Sequence, residues 1–280
     1  MKEIPRIKTA FYLILGGVGF GFLISAILLI VLPTEKNVAN IQIILLIGEL
    51  FLPVPIFIWG WRRTIPLGEL MRVRVPTAAS LLASLPIALG LTIIIDELDR
   101  LTQIILPLPE KFVKIEELLR ITDWQSAILV IGIVVVTAPL IEEIIFRGFF
   151  QRVLEYRLGN ITRAVLISAL VFAIIHFNIW WAIQIYLLGL FMGYLAWRSD
   201  SVFPSFIVHA FNNGWAVLWS HWHTKITWYE WHNLVHPLII IVALAVFLGG
   251  LKLFRKLTPP PVRRIEIMAP EEPVSDNFGE

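Results

Sequence analysis

No cysteine occurs among the 280 residues. Disulfide scaffolds, thiol nucleophiles and thiolate metal sites are excluded with it. Charge is also scarce: Asp, Glu, Lys and Arg make up 16% of the chain, against about 25% in a soluble domain. There is no HExxH pattern of a zinc protease and no GxSx-type setting for a serine nucleophile. Histidine is missing from the whole first half; the six fall at 176, 209, 221, 223, 232 and 236.

What fills the chain is hydrophobic, 58% of all residues. The apolar runs are long enough for the roughly 20 helical residues that cross a bilayer core. They predict an all-α polytopic transmembrane bundle of about eight helices, at 11–31, 41–59, 78–95, 127–150, 164–179, 181–197, 203–220 and 234–254. The first run, 21 residues long, exceeds the ~7–15 of a signal-peptide core, so it reads as a retained helix. The fifth and sixth runs require a tight turn at Asn178. The loop over 96–126 has mixed charge and apolar patches that suit an interfacial helix on the outer face. The tail from Thr258, rich in Pro and Glu, reads as disordered. No repeat and no soluble domain is visible.

The cations test this arrangement. With both termini cytoplasmic, 17 of the 23 Lys and Arg lie inside and six outside, as the positive-inside rule requires for an even number of spans. This placement accounts for the basic residues and leaves no surface for nucleic acid.

Ionisable groups inside membrane helices are expensive and commonly functional. Three groupings stand out. In APLIEEIIFRGFF, 138–150, Glu143 and Arg147 are four residues apart and share a face, so they can neutralise each other. Glu142 points about 100° away and is the freer carboxylate, and Pro139 is expected to kink the helix just before it. In SALVFAIIHF, 168–177, Phe172 and His176 share a face. In FPSFIVHAFNNGW, 203–215, His209 and Asn213 do so, offering an imidazole and an amide for a developing oxyanion. Each grouping alone also suits a bland role: a buried ion network, a packing histidine, an interhelical polar clamp. His221, His223, His232 and His236 lie among Trp222, Trp228, Tyr229 and Trp231 and read as an interfacial aromatic belt; their spacing is not diagnostic of a metal site. Asp96 and Asp99 fall in a predicted loop, so no membrane aspartate pair is expected.

Taken in order, Glu142-Glu143-x-x-x-Arg147, Phe172-x-x-x-His176 and His209-x-x-x-Asn213 resemble the CPBP intramembrane proteases, the CAAX-protease and bacteriocin-processing family that includes type II prenyl-protein endopeptidases. The resemblance covers about 120–220. It implies a CAAX-protease-like core at 120–220, preceded by transmembrane helices and an outer loop at 1–119 and followed by an outer aromatic region with the last helix at 221–257 and the tail at 258–280. It implies a metal-independent glutamic endopeptidase with no cofactor. Glu142 and His176 would activate water, His209 and Asn213 would stabilise the oxyanion, and Glu143 and Arg147 would organise the site. The implied partners are membrane lipids and a lipidated peptide, prenylated ones included, or a membrane-proximal peptide. The expected location is the inner or plasma membrane of a prokaryotic cell. The competing reading is a non-catalytic regulator, scaffold or bacteriocin-immunity protein that keeps the fold; a transporter, for which an inverted repeat is lacking, ranks below both. For the three motifs to meet at one depth, the fourth helix must extend past Phe150 and the fifth must begin near Gly159.

Overall fold

A computed structural model describes residues 4–32, 38–109, 121 and 123–260. The expected tail beyond Pro260, and residues 110–120 and 122 of the expected 96–126 loop with its interfacial helix, lie outside the described residues. The chain forms a largely α-helical, polytopic membrane bundle. Its helices are α1 (Ile7–Val31), α2 (Val38–Phe51), α3 (Val54–Arg62), the single turn α4 (Leu67–Leu70) and α5 (Ala78–Ile105). They continue with α6 (Trp124–Leu158), α7 (Ile161–Ile174), α8 (Ala182–Ser199), α9 (Phe203–Trp222) and α10 (Pro237–Leu257). Among the described residues, five segments are long and apolar enough to cross a membrane: α1, the α2–α3 pair, α5, α6 and α10. The helix α7 is apolar but shorter. The helices α8 and α9 carry Gln184, Arg198, His209, Asn212 and Asn213 within their length.

The surface is that of a molecule solvated by hydrocarbon. Phe22, Leu23 and Ile30 of α1 and Leu238, Ile241 and Leu248 of α10 face outward and are exposed, while Glu143, Arg147, Gln151 and Ser205 are buried. Such broad apolar exposure would be an aggregation hazard in water; in lipid it costs nothing. Helices then meet where side chains are small. At α5–α10, a Cβ on Gly90 would lie 2.5 Å from the Ala243 carbonyl oxygen, and one on Gly250 would lie 2.9 Å from the Ile87 nitrogen. Pro86, beside that contact, sits inside α5.

The predicted 41–59 span corresponds to the α2–α3 pair, broken at Pro53, which cannot continue the α2 ladder and leads into α3. Three expectations need correction. The helix α5 runs ten residues past the predicted end, so Asp96 and Asp99 are helical rather than in a loop. Their polarity is met on the helix itself, by Arg100 to Asp96 at 3.1 Å and Gln103 to Asp99 at 2.8 Å, and by Gln184 of α8 to Asp99 at 2.6 Å. The helix α7 stops at Ile174, which leaves His176 in the following turn. There Phe177 adopts φ +50°, and Asn178 Oδ1 accepts from the Trp180 and Trp181 amides, as a turn centred on Asn178 requires. Finally, the chain is not wholly helical: β1 (Glu230–Trp231) pairs antiparallel with β2 (Leu234–Val235) across His232 and Asn233, both at positive φ. Such a pair matches the two-residue hairpin turn whose twist suits the strands.

This hairpin and α5 form one end of the bundle. Arg100 pairs with Glu230 at 2.6 Å and lies 4.6 Å over the Trp219 ring, and the Val235 amide donates to Glu97 at 2.7 Å. Tyr229 is buried, and its hydroxyl donates to Asp96 at 2.7 Å. Burial, reinforced by that carboxylate, pushes the phenol above its usual range. The aromatic belt is therefore split: Trp228 and Trp231 are exposed, Tyr229 is core. His221 spends its Nε2 on the Ile121 backbone amide, and among the described residues no three His, Asp or Glu are arranged to hold a metal ion.

The opposite end is basic. Arg72 bonds Glu155, Asp200 and, at 3.1 Å, the Arg147 carbonyl; Arg152 also bonds Asp200, and Arg74 meets it at 3.2 Å. Arg157 bonds the Ile4 and Pro5 carbonyls, and Thr258 meets Ser80 at 3.1 Å. These contacts gather the described N-terminus, the α4–α5 link, the end of α6, the α8–α9 turn and the end of α10 at one pole.

The α5–α10 contact predicts that Gly90→Ala lowers the thermal midpoint of the purified protein, with a cost of about 1–3 kcal/mol from overpacking. Gly19→Ala, where a Cβ would meet nothing within 4 Å, is expected to leave the midpoint unchanged or slightly raised. Thermal melts of both variants in detergent check this.

Candidate active site

The helix α6 is one rod of 35 residues with two π-helical stretches, Ile131–Thr137 and Ile144–Phe150. Pro139 offers no amide and crowds the carbonyl four residues earlier, and the wide turn just before it relieves that clash. Carbonyls in both stretches also accept from outside donors. Asn213 Nδ2 donates to Val134 O at 3.0 Å, Ser168 Oγ to Phe146 O at 3.1 Å and Arg72 to Arg147 O. Each π-helical stretch is thus tied to another part of the bundle, and the six residues between them, Ala138–Glu143, end in the glutamate pair. The helix runs past Phe150 and stops at Gly159, whose left-handed φ of +61° closes it before Asn160 caps α7. That is the geometry needed to bring the three motifs level.

The pair Glu143–Arg147 is closed at 2.9 Å with both side chains essentially inaccessible, at 0% and 1% exposure. The same Glu143 oxygen lies 3.0 Å from His209 Nδ1. The other face of the His209 ring looks at Glu142, with Nε2 3.7 Å from Glu142 Oε2. His176 Nε2 is 4.0 Å from that same oxygen. The His176 ring is held by its other nitrogen, 2.7 Å from the Phe172 carbonyl. Since a carbonyl only accepts, Nδ1 donates to it and Nε2 is the nitrogen turned toward Glu142.

Phe172 is the floor of the cluster. Its ring centroid is 4.7 Å from His176, 5.7 Å from His209 and 4.0 Å from the Arg147 guanidinium carbon. The cation over an aromatic face gains electrostatic attraction where no water competes. Gly189 leaves the room for this: a Cβ there would sit 3.2 Å from Arg147 Nη2.

The structure therefore brings Glu142, Glu143, Arg147, His176 and His209 together around one carboxylate pair. Asn213 lies one turn along α9 from His209 and also faces α6, but its amide is bonded to Val134 O rather than to the imidazole. The sequence reading missed Glu49. It lies on α2 and lines, with Glu142 and His176, a cavity of about 200 Å³ whose other walls include Ile14, Phe22, Leu45 and Ile175. Its Oε1 is buried with no hydrogen-bond partner among the described residues. A glutamate in an otherwise apolar run, QIILLIGELF, was the available signal. Arg72 and Asp200 were also missed, for they read as ordinary cations and loop acids; both adopt positive φ in turns.

Residues 124–215 match the family model described as Type II CAAX prenyl endopeptidase Rce1-like. The match starts where α6 starts, ends two residues past Asn213 and spans about a third of the chain, which carries a CAAX-protease domain over that part. No curated protein and no solved structure matches the chain.

Removing one partner of a fully buried ion pair strands the other charge, at a cost of about 3–5 kcal/mol. Arg147→Met is expected to lower the thermal midpoint sharply, whereas Glu143→Gln with Arg147→Met recovers part of the loss. Melts of the single and double variants in the same detergent check the coupling.

Proposed function

We propose that the protein is an intramembrane glutamate-dependent endopeptidase acting on lipidated or membrane-proximal peptides, prenylated C termini among them. The observation that carries this reading is the position of Glu142 Oε2, between the Nε2 atoms of His176 and His209 and on the wall of an apolar cavity. A gap of 4.0 Å between Glu142 and His176 is too long for a hydrogen bond and suits a bridging water. Such a water donates one hydrogen to Glu142 and one to His176 Nε2, leaving its lone pair for a carbonyl carbon. Glu142 takes the proton as the C–O bond forms. The oxyanion then accepts from His209 Nε2–H and from the Asn213 N–H not used by Val134. For His209 to donate there while Nδ1 donates to Glu143, the ring must carry both protons, and its charge with that of Arg147 balances the two carboxylates. Collapse breaks the C–N bond, and Glu142 returns the proton to the leaving amine. No cofactor enters the scheme.

In this reading α7, α8 and α9 also cross the membrane, making eight spans with both termini cytoplasmic, and 120–220 is the catalytic core. The apolar cavity walls favour an amphiphilic substrate over a soluble one. A second reading, a non-catalytic regulator with the same fold, draws support from Glu143, Arg147 and Asn213, which all spend bonds inside the bundle.

Cleavage assays on the purified protein in liposomes separate the two. The substrates are a farnesylated C-terminal peptide library and lipidated or membrane-spanning peptides. Glu142→Gln and His176→Ala, each verified as folded, are expected to lose activity by about 100-fold or more, and a zinc chelator is expected to have no effect. Undiminished cleavage by both folded variants overturns the mechanism. A wild-type protein that cuts none of these substrates favours the regulator.

A further inference from the structure

A second concavity, of about 810 Å³, lies between α8 and α10, away from the candidate active site. Its wall is apolar, with Phe191 of α8 and Leu248 and Leu251 of α10. Among the described residues its rim holds Arg198, Lys252 and Arg255 and no carboxylate. Both helices step from apolar to basic in the same direction, over the seven residues from Phe191 to Arg198 and the seven from Leu248 to Arg255, which is ~10 Å along each axis. Arg198 Nη2 donates to the Arg255 carbonyl at 2.7 Å, which fixes the two helix C-termini side by side.

Cations at helix C-termini compensate the helix dipoles, and one bond of Arg198 does that. Dipole compensation needs neither an apolar wall nor an open groove beneath it. An anion on a hydrocarbon chain answers both features. We propose that this groove binds one anionic phospholipid, its phosphate held by Arg198, Lys252 and Arg255 and its acyl chain laid against Phe191, Leu248 and Leu251. Basic grooves between membrane helices recognise lipid head groups in this way.

Native mass spectrometry of the full-length protein, with phosphatidylglycerol or phosphatidylcholine of identical chains, tests the assignment. The wild type is expected to retain one phosphatidylglycerol in preference to phosphatidylcholine. The R198Q/K252Q/R255Q variant is expected to lose that retention by about tenfold or more. The R6Q/R62Q/R63Q variant removes three exposed cations elsewhere and is expected to keep it. Leu251→Trp leaves every cation and fills the wall, so it is expected to weaken retention and covers the case in which the triple variant fails to fold. Glycerophosphoglycerol, the head group without chains, is expected not to displace the lipid. Equal retention of phosphatidylcholine, equal loss from the control variant, displacement by the chainless head group, or no retention by the wild-type chain would each overturn the proposal.

Discussion

A carboxylate keeps its charge in an apolar bundle only if a cation is held against it, and the Glu143–Arg147 pair meets that condition with both side chains out of contact with solvent. Much of the site geometry depends on this contact. With Arg147 committed to Glu143, the shared carboxylate can also orient His209 through Nδ1, and the opposite edge of that ring is delivered to Glu142. The guanidinium lies over Phe172, which in turn spaces His176 from His209. The pair is weak evidence for stability, because desolvating two charges offsets most of their attraction. It acts as a positioning device: it admits few arrangements of α6, α7 and α9 in which neither charge is stranded.

The backbone of α6 makes that arrangement possible. Its two π-helical stretches shift the register on either side of the glutamates, and their carbonyls also accept from Asn213, Ser168 and Arg72. Lipid offers no water to compete for these bonds, so each wide turn is stitched to a neighbour. The site helix is therefore tied to α7, to α9 and to the link before α5. Arg72 extends the tie to Glu155 and Asp200 at the basic pole. A fixed bundle around a polar centre is what preorganised chemistry requires, since donors that must reorganise during a reaction contribute less.

Packing follows the same solvent logic. Without a hydrophobic force between helices in lipid, close approach replaces it, and glycines mark the places: Gly90 and Gly250 at α5–α10, Gly17 against the Leu52 carbonyl at the α2–α3 break, and Gly148 against the Met71 carbonyl beside the site. The last of these sets the depth at which Arg147 enters the bundle. The membrane-exposed shell of α1 and α10 is apolar, while α8 and α9, which carry polar residues of the core, are the less apolar helices.

Much was legible in the sequence because it depends on local spacing and solvent. Hydrocarbon demands long apolar helices, so their approximate places followed from composition along the chain. The i,i+4 spacing put Glu143 with Arg147, and the three motifs in order carried the family resemblance. Helix ends were less legible where polar groups satisfy one another: Asp96 and Asp99 look like loop residues until Arg100, Gln103 and Gln184 are placed around them. Only the tertiary structure decided which oxygen of which glutamate faces which imidazole, that Asn213 reaches Val134 O, and that Glu49 joins the cavity from a helix more than ninety residues away. Those outcomes depend on helix rotation and depth, which are set by glycine contacts, wide turns and long-range ion pairs. Periodicity constrains a helix face, but the neighbour that meets it is chosen by the packing of the whole bundle.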